Sequence, residues 1–170
     1  MGESYNPCTD PPPILKAECF QGRTAEHLTF ERAFEIIRWI SRATSPHGSG
    51  GLSIFLGTVK GRAEGHRVER LIYESYEPYA SQALDSIAKS FSSDKEVLSL
   101  IIVQSIGELR PGDPTILVAS SATSRKKAFD SAKEALERAK FEPPVFKLEV
   151  REDGEYWISG DGKRYRRENK

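Results

Sequence analysis

Cysteine is scarce: the 170 residues hold two, Cys8 and Cys19, both ahead of the first helix the sequence predicts. Neither has a histidine or a second cysteine pair beside it, which excludes a zinc centre of the usual close spacing. A disulfide closing the short loop between them is one reading; two reduced thiols in the cytoplasm is the favoured one. The histidines His27, His47 and His66 are too far apart in the chain to suggest a shared metal, so neither a metal nor a cofactor is expected. Net charge is missing too, with 25 basic residues against 25 acidic ones. A neutral chain feels no whole-molecule pull toward nucleic acid or a membrane surface, and any anion chemistry has to come from a local cluster of cations. No apolar run approaches the roughly 20 residues of a bilayer span. The start of the chain carries Glu3 and the run Pro11-Pro12-Pro13 in place of a basic-then-apolar leader, so a cytoplasmic protein is expected. Asparagine occurs only at Asn6 and Asn169 while 29% of residues are charged, a balance that leans toward a thermophile.

What remains is enough chain for one domain with a real core. Residues 1–27, rich in proline and polar side chains, read as a loosely ordered arm. Thr29 is placed to cap a helix whose residues Ala33, Phe34, Ile37 and Ile40 recur at helical spacing. Residues 52–59 form a β-prone strand, 60–70 a charged loop, and 71–76 a second strand. A helix follows from Pro78 to about Ser92, with Ala80, Ala83, Leu84, Ile87 and Phe91 on one face. Strands at 97–103 and 115–120 flank the turn Arg110-Pro111-Gly112-Asp113. A helix from Ser124 to Phe141 turns small residues (Ala128, Ala132, Ala135, Ala139) inward until Pro143-Pro144 stops it. Strands 145–150 and 155–158 close a domain spanning 28–158, and 159–170 reads as a basic mobile tail. Short strand pairs alternating with helices predict an α+β fold: a single domain with a mainly antiparallel sheet and packed helices.

Four cations draw attention by position. Lys60 stands where a buried strand emerges into a loop. Arg125 opens a helix, where unpaired backbone N–H groups and the helix dipole favour an anion. Lys140 and Lys147 flank the double proline, which turns the chain back on itself so that both can reach one cleft. Lysines crowded together lower each other's pKa, and one becomes a usable nucleophile or base. By spacing alone, each of these is also an ordinary surface charge. The run Lys60, Arg62, His66, Arg67, Arg70 would suit a polyanion such as RNA, but Glu64 and Glu69 interrupt it. The Gly48-Ser49-Gly50-Gly51 stretch lacks the lysine of a phosphate-binding loop and reads as a plain turn. The serines Ser120, Ser121 and Ser124 have no histidine partner nearby in sequence, which leaves a hydrolase weakly supported.

Six blocks in order resemble the molybdopterin synthase large (catalytic) subunit family. They are GSGGLSIFLGTVK (48–60), VERLIYESY (68–76), IGELRPGD (106–113), SSATSRKKAF (120–129), KFEPPVFK (140–147) and GEYW (154–157). The resemblance covers about residues 52–158 and implies an alpha/beta-hammerhead type of domain. It also implies an enzyme of molybdenum cofactor biosynthesis, in which a small ubiquitin-like sulfur-carrier subunit inserts a thiocarboxylated Gly-Gly tail into the large subunit. Sulfur then passes to cyclic pyranopterin monophosphate to make the molybdopterin dithiolene. A central homodimer of large subunits, with a small subunit at each end, gives a heterotetramer. The family's catalytic lysines fall on Lys140 and Lys147, and its substrate-phosphate arginine on Lys60. Its His-Arg pair, supplied by the dimer mate, falls on Ser124 and Arg125. No nucleic acid, membrane, metal or cofactor enters.

The departures from the family pattern are local. Lys60 keeps the charge of an arginine but loses the bidentate fork, Ser124 removes an imidazole, and Gln104-Ser105 replaces a second His-Arg pair. Phe146 stands for a tryptophan. These departures keep a second reading open, a non-catalytic homodimeric scaffold or binding module, alongside the RNA-binding reading of the 60–70 run.

Overall fold

The computed structural model describes residues 19–168. Twelve elements follow in the order β1 (Phe20–Glu26), α1 (Phe30–Thr44), β2 (Gly51–Thr58), β3 (Arg62–Ala63), β4 (His66–Ser75), α2 (Tyr79–Ser90), β5 (Val97–Leu109), β6 (Pro114–Ala122), α3 (Arg125–Phe141), β7 (Val145–Arg151), β8 (Gly154–Ile158) and β9 (Arg164–Arg166). The sheet runs β2-β6-β5-β4-β7-β8-β9, antiparallel at every step. β1 joins β5 in parallel, and β3 pairs with β4. The fold is α+β and mainly antiparallel, as the alternation of strand pairs and helices predicts.

β5 holds the sheet together. Its run of branched side chains is buried on both faces, and alternate residues serve opposite layers. Leu100 and Ile102 meet α2 and α3, in a core with Leu84, Ile87, Ala132 and Ala135. Ile101 and Val103 meet α1, in a second core with Ala33, Ile36, Ile40 and Leu117. Up to Gln104 the strand pairs with β6; from Gly107 onward it pairs with β4 instead. Gly107 has φ of 91°, a left-handed conformation that lets the strand change direction between the two pairings. Beyond it, a third and smaller cluster of Val59, Ala63, Val68, Leu71 and Leu109 forms, with Tyr73 against it.

Several segments differ from the sequence expectation. The arm expected over 1–27 gives way at Phe20 to β1, which shields β5 under α2. Cys19 is buried; Cys8, and with it the question of a pairing, lies outside the described residues. The charged 60–70 loop is a hairpin: Glu64 and Gly65 take positive φ at its tip, and alternate residues such as Ala63 and Val68 bury against the third cluster. On α1 the buried stripe is Ala33, Ile36, Ile40 and Ala43, while Phe34 is 60% exposed. The helix carries apolar residues on two faces, and spacing alone does not say which faces the sheet. The basic tail expected from Ser159 instead turns at 159–163 and returns as β9 on β8, held by an ion pair described below. No helix among the described residues is long and apolar enough to cross a membrane.

β1 is an edge strand whose outer N–H groups are used locally. Gly22 N donates to Asp85 Oδ1 at 3.5 Å and Thr24 N to Ser81 Oγ at 3.4 Å, both on α2, so the exposed edge offers little to another strand. The approach is close enough that a Cβ on Gly22 would sit 2.0 Å from the Leu84 carbonyl carbon. Backbone cannot yield as a side-chain tip can, so Gly22→Ala is expected to destabilise the fold by about 3 kcal/mol or more. Urea unfolding of the two proteins checks this, and an unchanged midpoint would mean that β1 does not seat on α2.

Candidate active site

The side chains of β7 alternate. Leu148 and Val150 point to one face, and Lys147, Glu149 and Arg151 share the other. Register then places Tyr73 beside Lys147 and Leu71 beside Glu149, so the charged row lies against the third apolar cluster. Arg151 and Glu149 are almost wholly buried, with side chains 3% and 4% exposed, and Lys147 is half-buried. Charges in such a place need partners.

Arg151 has a full set. Nε and Nη2 donate to the two carboxylate oxygens of Asp153 at 2.9 Å each, and Nη1 to Glu64 at 2.9 Å. Its guanidinium stacks 4.0 Å over the ring of Tyr156. Hydrogen bonds and ion pairs from these carboxylates hold it protonated despite its burial. Glu149 is gripped by Arg164 from β9, Nε to Oε1 at 2.8 Å and Nη2 to Oε2 at 3.3 Å.

Lys147 is different. Among the described residues no carboxylate lies within 4.0 Å of its amine, which sits 5.9 Å from the centre of the Tyr73 ring. Burial pushes its pKa below the usual lysine range. Glu149 offsets part of that, and Arg164, Lys60 and Lys140 repel the ammonium and lower it further. Tyr73 goes the other way: burial raises its phenol to about 12, so its hydroxyl keeps its proton at neutral pH.

The other two lysines reach this place from separate elements. Lys60 follows β2, where Val59 N donates to Asp113 O at 3.0 Å and Gly112 N to Val59 O at 2.9 Å. The Arg110-Pro111-Gly112-Asp113 turn thereby fixes the point at which the chain leaves the sheet. Lys140 lies in the last turn of α3, its ammonium 3.0 Å from Glu137. The 159–163 turn rests on this helix end so closely that a Cβ on Gly160 would sit 2.8 Å from the Lys140 carbonyl. Of the residues expected from sequence, Lys60 and Lys140 are thus both brought within electrostatic range of Lys147.

Ser124 and Arg125 are not brought to that cluster within one chain. Ser124 is the N-cap of α3, its hydroxyl accepting from Lys127 N at 3.3 Å, and Arg125 is exposed beside it. Along the helix, 1.5 Å per residue separates Arg125 from Lys140 by about 22 Å. Gly50 and Gly51 lie against this same helix start. A Cβ on Gly50 would meet Thr123 O at 2.3 Å, and one on Gly51 the Arg125 Cα at 2.9 Å; the glycines are more than a plain turn. Gln104 and Ser105 are buried, donating to the carbonyls of Thr115 at 2.9 Å and Pro114 at 2.8 Å across the β5–β6 pair. Ser120 and Ser121 are likewise buried and bonded, to Ser131 and Thr44.

Sequence reasoning missed Arg164, Glu149 and Tyr73. The alternation in KLEVR announces a charged face on β7, whereas a three-residue strand such as β9 leaves no pattern to find. The cluster gathers several cations around one amine with a lowered proton affinity. Those are the requirements for attack on, or charge relief at, an anionic acyl or phosphorylated substrate.

Comparison with known proteins bears on the family. The family model described as MoaE protein matches residues 25–142, a span that includes Lys60 and Lys140 and ends before Lys147. The molybdopterin synthase catalytic subunit of Pyrococcus abyssi is 38% identical over 117 residues, 69% of this chain and 79% of that one. The Bacillus subtilis catalytic subunit is 39% identical over 110 residues, 65% and 70% of the two chains. The crystal structure of molybdopterin synthase from Staphylococcus aureus superposes with a TM-score of 0.66 at 27% identity, covering 82% of this chain and 96% of that one. The chain belongs to the MoaE protein family.

The lowered pKa of Lys147 carries a sign for stability. Between its folded value and the ordinary 10.5, the unfolded chain binds the extra proton, so stability rises with pH through that window. Lys147→Met keeps the apolar stem and removes the charge. It is expected to raise the urea midpoint at neutral pH, by a margin that shrinks as pH nears 10.5. A lower midpoint at neutral pH would show that the ammonium is well satisfied where it lies.

Proposed function

We propose that the chain is the catalytic subunit of a molybdopterin synthase, working in the cytoplasm. It accepts in turn the thiocarboxylated Gly-Gly tails of two small ubiquitin-like partners and transfers one sulfur from each to cyclic pyranopterin monophosphate. Water replaces sulfur on each acyl carbon to leave a carboxylate, and the two sulfurs form the dithiolene of molybdopterin. The observation that carries this is Lys147, a desolvated amine with no carboxylate partner among the described residues, set among Lys60, Lys140 and Arg164 in a chain of this family. A thiocarboxylate and a cyclic phosphate are both anions, and converging cations attract them and offset the charge that develops as sulfur leaves the acyl carbon. Lys140 and Lys147 take the catalytic roles, and Lys60 binds substrate phosphate as a point charge. Ser124 and Arg125, at the far end of α3, enter this scheme as substrate-binding residues of the neighbouring large subunit in a homodimer. No cofactor or metal is part of the scheme.

One set of observations favours the scaffold alternative: the Ser124 hydroxyl is used in capping α3, and Gln104 and Ser105 are buried in the β5–β6 pair. Neither side chain there replaces an imidazole. The two readings part on one assay, conversion of cyclic pyranopterin monophosphate to molybdopterin by the full chain, supplied with thiocarboxylated small subunit. Wild type is expected to form product and Lys140→Ala to lose activity on the order of a hundredfold or more. Wild type without product, in a stable complex with the small subunit, would transfer the case to the scaffold.

A further inference from the structure

We propose that Arg164 is a positioning residue for Lys147: its fork holds both oxygens of Glu149 and keeps that carboxylate from pairing with the lysine. The importance of this for catalysis rests on the sulfur-transfer function above; the geometry stands without it.

Lys147 and Glu149 are two residues apart on one face of β7, roughly 6.6 Å between Cα atoms. Both side chains are flexible enough to meet, and an interior ion pair between them would be the ordinary outcome. It does not form. The charged groups facing the Lys147 amine are Glu149 on its own strand, Arg164 on β9, Lys60 after β2 and Lys140 on α3, with the Tyr73 ring on β4. Lys140 is itself engaged by Glu137. On the other side, Glu149 faces Arg164 at 2.8 Å and Arg151 at 3.9 Å, and Glu64 lies 3.5 Å from Arg164.

Arg151 has little to offer Glu149, because Asp153 and Glu64 take its Nε, Nη1 and Nη2 at 2.9 Å. A buried carboxylate is left two possible partners, Arg164 and Lys147, and the arginine takes it. The fork matters because two parallel N–H···O bonds occupy both oxygens at once, which an ammonium cannot do. Arg164 is in turn delivered by β9, whose register on β8 places it opposite Ile158 and thus alongside Lys147 on β7. The short final strand, lying beyond the family-matched residues, thereby leaves the lysine's amine available to a substrate anion.

Lysine ε-carbons and nitrogens can be isotopically labelled in the full-length protein, with the Lys147 signal assigned by its loss in Lys147→Met. The pKa of Lys147 is then read by NMR in wild type, R164K, E149Q and E149Q/R164K. R164K keeps the charge, so through-space repulsion is nearly constant and only the fork is lost. The expected result is that R164K raises the Lys147 pKa by about one unit while the same change in the E149Q protein leaves it unmoved. The pH–rate profile for molybdopterin formation should move to higher pH in R164K, while the double variant should match E149Q alone. An R164K protein with unaltered Lys147 titration would overturn the proposal, as would an equal shift with and without Glu149. The NMR outcomes are independent of the Lys140→Ala assay, so the loss of one conclusion does not decide the other.

Discussion

Burying a carboxylate against aliphatic side chains costs several kcal/mol unless a partner satisfies it, and Glu149 sits beside Leu71 with 4% of its side chain exposed. Much of the β3, β4, β7, β8 and β9 region is arranged around that requirement and the matching one of Arg151. The tip of the β3–β4 hairpin contributes Glu64, the β7–β8 turn Asp153, and β9 Arg164. Each of these short elements would be marginal alone. Together they are cross-linked by ion pairs to Arg151 and Glu149, whose own side chains are almost wholly hidden from water, where screening by salt is weak. Lys147, at the end of the same row, is the charge this arrangement leaves over.

The helix-bearing half of the molecule obeys a simpler physics. β5 and β6 are apolar on both faces, α1 covers one side, α2 and α3 cover the other, and small residues on α3 let it approach the sheet. β5 passes from this half into the ionic one at Gly107. Stability and chemistry are thereby separated along a single strand: the residues before the bend fill cores, and those after it border the cluster beside Lys147.

This division explains what could be read in advance. α1 was legible because Thr29 is a good cap, α2 because Ala80, Leu84 and Ile87 recur at helical spacing, and α3 because Pro143-Pro144 is a firm stop. The β-prone runs around 52–59, 97–103 and 115–120 were legible because branched residues are concentrated there. Lys60, Lys140 and Lys147 could be singled out because each stands at a chain reversal. The β3–β4 hairpin was hidden by its charge, since Glu64 and Arg67 look like solvated loop until Arg151 and Glu152 are placed opposite them. β9 was hidden for the same reason: Arg164 has no local reason to be ordered, and its partner is fifteen residues away. Phe34 shows the converse limit, an apolar residue at proper spacing that faces outward.

α3 also acts as a ruler. It carries Arg125 on its first turn and Lys140 on its last, and a helix transmits position as both length and phase. Removing one residue from its middle would shorten the span by about 1.5 Å and rotate one end by about 100° relative to the other. Lys140 would swing away from Lys147, and the helix end would leave the turn at Gly160. Surface loops absorb insertions and deletions by changing shape. This helix has no such freedom, so substitutions along its exposed side are tolerable where a change in its number of residues is not.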